Sequence, residues 1–183
     1  MKTLILSAAA AALLHITPTV VLVKRPEAAS RLLTGAERLA AREVHLSSAD
    51  DRRLRDAVGW TPPDGVLTFY LGKRQDRVTG VLLFVRVDSP HGPMEVAVGF
   101  DGEGGGEIAG VEVTKATVET KPWIVEALRA GLTDHYRHLR VDATPVGAAA
   151  LKGRVGSMPA YMAELVDQGV AHASAAYRLF YRP

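Results

Sequence analysis

The sequence has no cysteine among its 183 residues. Disulfides, thiolate metal sites, iron–sulfur clusters and the usual c-type haem attachment are therefore excluded. This absence leaves the cellular compartment open, since an exported domain does not require disulfides.

A large excess of charge of one sign is also missing. The chain has 22 Lys and Arg residues against 20 Asp and Glu residues, and the two signs are interspersed. Nucleic-acid-binding domains neutralise phosphates with clustered basic residues, so this class of function is set aside. The length suits one domain of ordinary size, roughly 100–200 residues.

Motifs for catalysis and metal binding are scarce. No nucleophile motif such as G-x-S-x-G surrounds Ser157 or Ser174. His135 and His138 lie three apart, but the sequence implies no third ligand, and surface histidines are the preferred interpretation. The glycine-rich run 101–106 leads into a strand and carries carboxylates, which favours a hairpin turn over a phosphate-binding loop. We therefore predict no catalytic residue and no metal site.

The N-terminal segment predicts export. Leu4 to Val23 is a 20-residue run without Asp, Glu, Lys or Arg, preceded by Lys2 and followed by Lys24. A bilayer core requires a helix of ~20 residues, and a cleaved signal peptide is the rival interpretation. Because no convincing cleavage site follows Val23, we favour a retained anchor over residues 1–25.

The region 26–59 is predicted to be a helical lead-in. Apolar residues recur at three- and four-residue spacing between Ala28 and Val44, which favours an amphipathic helix. A second helix is predicted to begin at Ser47 or Ser48 and to end at Gly59.

The region 60–183 is predicted to be an α+β domain. Short connections link the extended stretches Val66–Leu71, Arg77–Asp88, Met94–Phe100 and 107–115, with a bulge expected at Ala109 and Gly110. Connections this short exclude helical crossovers. The predicted fold is an antiparallel sheet of about four strands, with helices at both ends and an N-terminal hydrophobic helix before it.

The sequence between Arg77 and Pro122 combines glycines, apolar strand residues and a final polar step. These are Gly80, Gly92-Pro93, Val96-Ala97-Val98-Gly99-Phe100-Asp101, Gly106-Glu107-Ile108-Ala109-Gly110-Val111-Glu112-Val113 and Glu119-Thr120. The pattern resembles the FMN-binding domain family, which includes peripheral flavin subunits of the sodium-pumping NADH:quinone oxidoreductase and of the Rnf complex. The resemblance covers roughly Trp60 to Tyr181.

The resemblance implies a flavin site in two parts. A Glu-Thr-Pro-Gly segment follows the hairpin in these subunits, and here Glu119 and Thr120 match it while Lys121 and Trp123 do not. Their Ser-Gly-Ala-Thr motif carries FMN on its threonine, and the corresponding stretch 155–160 has no threonine. A second alignment, at 147–149, also lacks the hydroxyl. The implied cofactor-binding residues are Glu119, Thr120, Gly156, Ser157 and Met158, with FMN held without a covalent link or lost altogether.

The expected function follows from this resemblance. It is a membrane-anchored extracytoplasmic FMN-binding electron-transfer protein or subunit, an electron carrier rather than a stand-alone enzyme. The alternative is a cofactor-free accessory subunit of a membrane electron-transport complex. The expected location is the periplasmic face of the bacterial cell membrane, held by residues 4–23, with a cleaved and soluble periplasmic form as the alternative. The expected partners are subunits of such a complex.

One measurement, the intact mass of the native protein, tests both the retained N-terminal segment and the absence of a covalent flavin. We expect the mass of the chain with residues 1–25 retained and no covalent flavin added. A mass lacking the first 20 or so residues would identify a cleaved signal peptide instead. An added FMN mass would contradict the expectation that flavin is held without a covalent link or lost.

Overall fold

The computed structural model of the protein describes residues 18–102 and 106–181. These residues form six strands and five α-helices. In chain order they are β1 (Thr19–Val21), α1 (Arg25–Leu32), β2 (Arg38–His45), α2 (Ser48–Val58), β3 (Val66–Arg74), β4 (Arg77–Val87), β5 (Met94–Asp101), β6 (Ile108–Thr117), α3 (Lys121–Arg129), α4 (Gly147–Leu151) and α5 (Ser157–Ala176). A 3₁₀ turn at Leu132–Tyr136 follows α3, and a π turn at Tyr177–Tyr181 follows α5.

All six strands belong to one antiparallel sheet in the order β1-β6-β5-β4-β3-β2. The predicted fold with about four strands is therefore wrong. The four predicted strands form the middle of the sheet, and the expected bulge is confirmed, because Gly99 pairs with Gly110 while Phe100 pairs with Ile108. The two additional strands, β1 and β2, flank them as the sheet edges.

Strand β2 arises from a segment that we predicted to be helical. The predicted helix between Ala28 and Val44 is divided by Gly35, which has a φ of +78°, a conformation that glycine adopts without strain. All eight residues of β2 pair with β3, from Arg38 opposite Lys73 to His45 opposite Val66. Most of their side chains are exposed. An exposed edge strand shows no alternation of apolar and polar residues, so its sequence does not distinguish it from a helix.

The segment before α1 also differs from the predicted hydrophobic helix. Residues 4–17 of that helix lie outside the described residues, whereas Thr19–Val21 forms β1 and pairs with Thr117–Lys115 on β6. Within residues 18–102 and 106–181, no helix combines the length and the apolar character needed to cross a bilayer. The end of the apolar run is thus part of the sheet.

Helices cover both faces of the sheet. The long helix α5 packs on β4 and β5 through residues such as Met162, Val166 and Val170, in the larger of two apolar cores. The short helix α1 packs on the opposite face, where Ala28, Leu32 and Leu33 contact Leu82 and Ala97. Strands β4 and β5 are therefore apolar on both faces, as expected for a central pair.

Close packing of α1 depends on a stripe of glycines on four neighbouring strands. We call Gly72, Gly80, Gly99 and Gly110 the glycine stripe. A Cβ atom added at Gly80 would lie 2.9 Å from Leu33 Cδ2, and one added at Gly99 would lie 3.0 Å from Leu32 Cβ. The missing side chains thus let α1 lie directly on the sheet backbone. Gly80, Gly99 and Gly110 also belong to the sequence pattern that resembles the FMN-binding family. In this protein the packing of α1 on the sheet accounts for these three glycines.

Two neighbouring members of the stripe test this packing. In Gly99→Ala, the new methyl group meets the Leu32 backbone oxygen at 3.2 Å as well as its Cβ. Because backbone yields little, we expect a loss of about 2 kcal/mol in the free energy of unfolding, measured with urea. In Gly110→Ala the nearby atom is the flexible Leu32 Cδ2. Here the entropic gain of replacing a strand glycine offsets the strain, and stability should stay within about 0.5 kcal/mol of wild type. Equal costs would contradict the model of a rigid contact at Gly99.

Candidate functional site

The end of β6 is fastened by two threonine hydroxyl groups. Thr117 Oγ1 and Thr120 Oγ1 lie 2.9 Å apart, and each accepts a hydrogen bond of 3.1 Å from the backbone amide of the other residue. Thr120 is 4% exposed. The predicted site residue Thr120 therefore closes the joint between β6 and α3, and its hydroxyl faces the protein interior.

Glu119 lies beside this joint and is about half exposed. Its Oε1 atom lies 2.9 Å from Nδ1 of His91, in the turn between β4 and β5. The carbonyl oxygen of His91 accepts a hydrogen bond of 3.1 Å from Thr117 Oγ1. The β6 end thus positions both members of the pair, because Thr117 holds the backbone of His91 next to Glu119.

Two aromatic rings complete what we call the His91 cluster: His91, Glu119, Trp123 and Tyr161. The His91 ring meets Trp123 edge-on at 5.3 Å between centroids, and Tyr161 edge-on at 6.0 Å. Trp123 comes from the first turn of α3 and Tyr161 from α5. The cluster therefore joins the β4–β5 turn, the end of β6 and two helices at one place on the surface.

The other predicted site residues begin α5. Gly156 is its N-cap, with extended backbone and no side-chain cap, and Ser157 and Met158 are the first two helical residues. Among the described residues, the amides of Ser157 and Met158 have no hydrogen-bond acceptor. Ser157 precedes Tyr161 by four residues, so both lie on one face of the helix. The open helix start and the His91 cluster are thus neighbours.

The second alignment, at Gly147, presents a different environment. The amides of Gly147 and Ala148 donate hydrogen bonds of 3.0 and 2.9 Å to the carboxylate of Asp167 on α5. The hydroxyl of Tyr136 donates to the same carboxylate at 2.7 Å. Burial, reinforced by the Asp167 charge, raises the pKa of Tyr136, so it stays a donor. A carboxylate already occupies the position that an anionic ligand would need at the start of α4.

The two histidines considered in the sequence lie at the 3₁₀ turn that follows α3. His135 lies in the 3₁₀ turn, and His138 follows it with a φ of +62° and its Nδ1 3.5 Å from Glu107 Oε2. In residues 18–102 and 106–181, no three His, Asp or Glu side chains are grouped to hold a metal ion.

Three members of the His91 cluster were not predicted from the sequence as site residues. His91 stands in a turn 28 positions before Glu119, and Tyr161 lies 42 positions after it. Pairing over such distances depends on the sheet register and on helix packing. Only Glu119 gave a signal, through its position at the end of a strand.

Comparisons with known proteins add no assignment to this site. No family model, no curated protein and no solved structure matches the chain.

The Asp167 network makes a measurable contribution to stability. Asp167→Ala leaves two amides and the buried Tyr136 hydroxyl without their acceptor, so we expect a loss of about 3 kcal/mol in the free energy of unfolding. Tyr136→Phe removes one hydrogen bond only and should cost about 1 kcal/mol. Urea unfolding of both variants measures the difference. If Asp167→Ala costs no more than Tyr136→Phe, water replaces the carboxylate and the start of α4 is open to ligands.

Proposed function

We propose that the protein is a membrane-anchored extracytoplasmic electron-transfer protein, or a subunit of one, that binds FMN without a covalent link. The observation that carries the proposal is the pair of free amides at the start of α5 beside the His91 cluster. The resemblance of the sequence between Arg77 and Pro122 supports the same site. The proposal includes the location and partner subunits of a membrane electron-transport complex, and it limits the membrane anchor to the part of the apolar run before β1, since Thr19–Val21 belongs to the sheet.

The start of α5 has the chemistry to hold the FMN phosphate. Helix dipoles and free first-turn amides favour an anion at an N-terminus, and α5 is 20 residues long. Ser157 adds an exposed hydroxyl, whereas Pro159 has no amide hydrogen to offer. We prefer α5 to α4 because the carboxylate of Asp167 already accepts hydrogen bonds from the amides of Gly147 and Ala148 at the start of α4.

The His91 cluster has the chemistry to contact the flavin ring. Trp123 and Tyr161 offer aromatic surface, and His91 and Glu119 offer a donor and an acceptor at its border. When bound, FMN supplies the redox chemistry. The residues of the chain bind and orient it, and Thr120 acts indirectly by fixing the backbone next to Glu119.

A comparison of FMN with riboflavin tests the proposal. Riboflavin lacks the phosphate, so we expect it to bind the purified full chain at least ~10-fold more weakly than FMN, a difference of about 1.4 kcal/mol. Ser157→Asp places a carboxylate at the helix start and should weaken FMN binding about 10-fold. The same change favours the helix itself by ~0.3–1 kcal/mol, so unfolding cannot explain the loss. Quenching of flavin fluorescence gives the affinities.

Ser48→Asp is the matched control, since Ser48 is the first residue of α2 and lies in another part of the fold. It should leave FMN affinity unchanged. If FMN and riboflavin bind equally, the start of α5 does not hold the phosphate. If neither binds, the flavin function is wrong.

A cofactor-free accessory subunit is the second candidate function. The observation that favours it is the Thr117–Thr120 pair, because the hydroxyl of Thr120 is bonded inside the protein. Under this alternative the domain keeps its fold and docks on a membrane complex. Co-purification with a larger complex at fixed stoichiometry and without flavin supports it, and a protein that never co-purifies opposes it.

A further inference from the structure

The apolar N-terminal run of the sequence joins the domain without a linker. Ile16 is its last apolar residue before Pro18, and β1 begins at Thr19. The carbonyl oxygen of Pro18 accepts a hydrogen bond of 2.9 Å from the amide of Val118, just beyond the end of β6. Because each residue of extended chain covers at most ~3.6 Å, Ile16 is no more than about 12 Å from that amide.

Two valines with strongly exposed side chains lie at this junction. Val21 on the edge strand β1 is 58% exposed, and Val118 is 53% exposed. A single exposed valine is ordinary on a protein surface. Here, however, one valine is three residues after Pro18 and the other is bonded to it. Apolar surface is thus offered at the point where the apolar run meets the domain.

The two segments that form the junction carry positive charge. Residues 18–24 and 113–125 together contain three lysines and one carboxylate. Lys24 and Lys121 are exposed, and neither forms an ion pair within the described part of the chain. The third lysine is bound to a carboxylate on β5, and the carboxylate of the segments, Glu119, lies against a histidine. Two free cations therefore accompany the exposed valines.

An anionic lipid bilayer matches this combination of chain length, apolar surface and charge. The uncharged run from Leu4 to Ile16 is shorter than the ~20 residues that a helix needs to cross the hydrocarbon core. An anchor of this length leaves no spare chain, so the junction reaches the headgroups once the run is inserted. Exposed apolar side chains enter the boundary between headgroups and acyl chains, and lysines are attracted to anionic headgroups.

We propose that the domain docks on anionic lipid headgroups through a junction surface formed by Pro18, Val21, Lys24, Val118 and Lys121. The β1 edge of the sheet then faces the membrane. The β2 edge lies five strand spacings away, about 24 Å, and faces the solvent. This inference rests on the anchored location in the proposed function, and it holds whether or not flavin binds.

Fluorophores attached to single cysteines test the orientation, because the sequence contains no cysteine of its own. Val21→Cys and Val118→Cys label the junction surface, and Leu39→Cys on β2 is the matched control, since all three side chains are more than half exposed. The full chain is reconstituted with vesicles of phosphatidylcholine and phosphatidylglycerol. We expect the emission of a polarity-sensitive label to shift to shorter wavelength at positions 21 and 118 and to stay unchanged at 39. Thermal unfolding checks that each variant folds.

The outcomes separate this inference from the proposed function. If the full chain does not float with the vesicles, the anchored location is wrong and the docking inference is wrong with it. If the chain floats and neither junction label shifts, the docking inference alone is wrong. A shift of all three labels means adsorption without orientation and also overturns it. So does a shift that appears in native membranes but not in lipid vesicles, because a protein then covers the surface.

Charge reversal tests the preference for anionic lipid. With the label at position 21, Lys121→Glu should lower the ratio of docked to undocked protein about 5-fold on the anionic vesicles. It should change nothing on vesicles of phosphatidylcholine alone. Lys152→Glu is the matched control, since Lys152 is an exposed lysine at the end of α4, outside the junction surface. Equal effects of the two reversals would show a general effect of net charge and would overturn the proposal.

Discussion

The contact between α1 and the backbone of the sheet is the constraint on which the rest of the structure depends. Because the glycine stripe removes side chains on β3 to β6, a short helix covers one face at close range, and the long helix α5 is left to cover the other. With both faces closed, most residues of β4 and β5 are buried. Tyr70 and Phe84 are partly buried against the α1 core, and Arg25 at the start of α1 lies 4.7 Å above the Phe84 ring.

The candidate site depends on the end of β6 and the start of α5. The proposed FMN site lies where β6 ends, because the Thr117–Thr120 hydroxyl pair turns the chain into α3 and holds His91 next to Glu119. Its chemistry is in side chains and in the free amides of α5. A small anionic cofactor suits this environment.

Local signals in the sequence were sufficient for the centre of the fold and for α2. The bulge at Ala109 followed from alternation on both sides of it, and the Ser47 cap and Gly59 stop of α2 are observed. The edges were not predictable in this way, since β2 forms by pairing with β3 and buries little of its own surface. Glu119 was singled out because it ends a strand, whereas His91 and Tyr161 reach it through tertiary packing. The resemblance rested partly on glycines whose role here is to accommodate α1.

The pairing of β1 with β6 determines where the sheet opens when the chain is pulled from its N-terminal side. Thr19 lies opposite Thr117, and the amide of Val118 donates to the carbonyl oxygen of Pro18 at 2.9 Å. A pull on the chain at Pro18 loads this hydrogen bond first. It then opens the three-residue strand β1 one residue pair at a time, beginning next to Val118, the residue before Glu119. Such a ladder yields at low force because its bonds break in succession rather than together. Tension applied to the chain at Pro18 is thereby delivered to the end of β6 that holds Glu119 and His91.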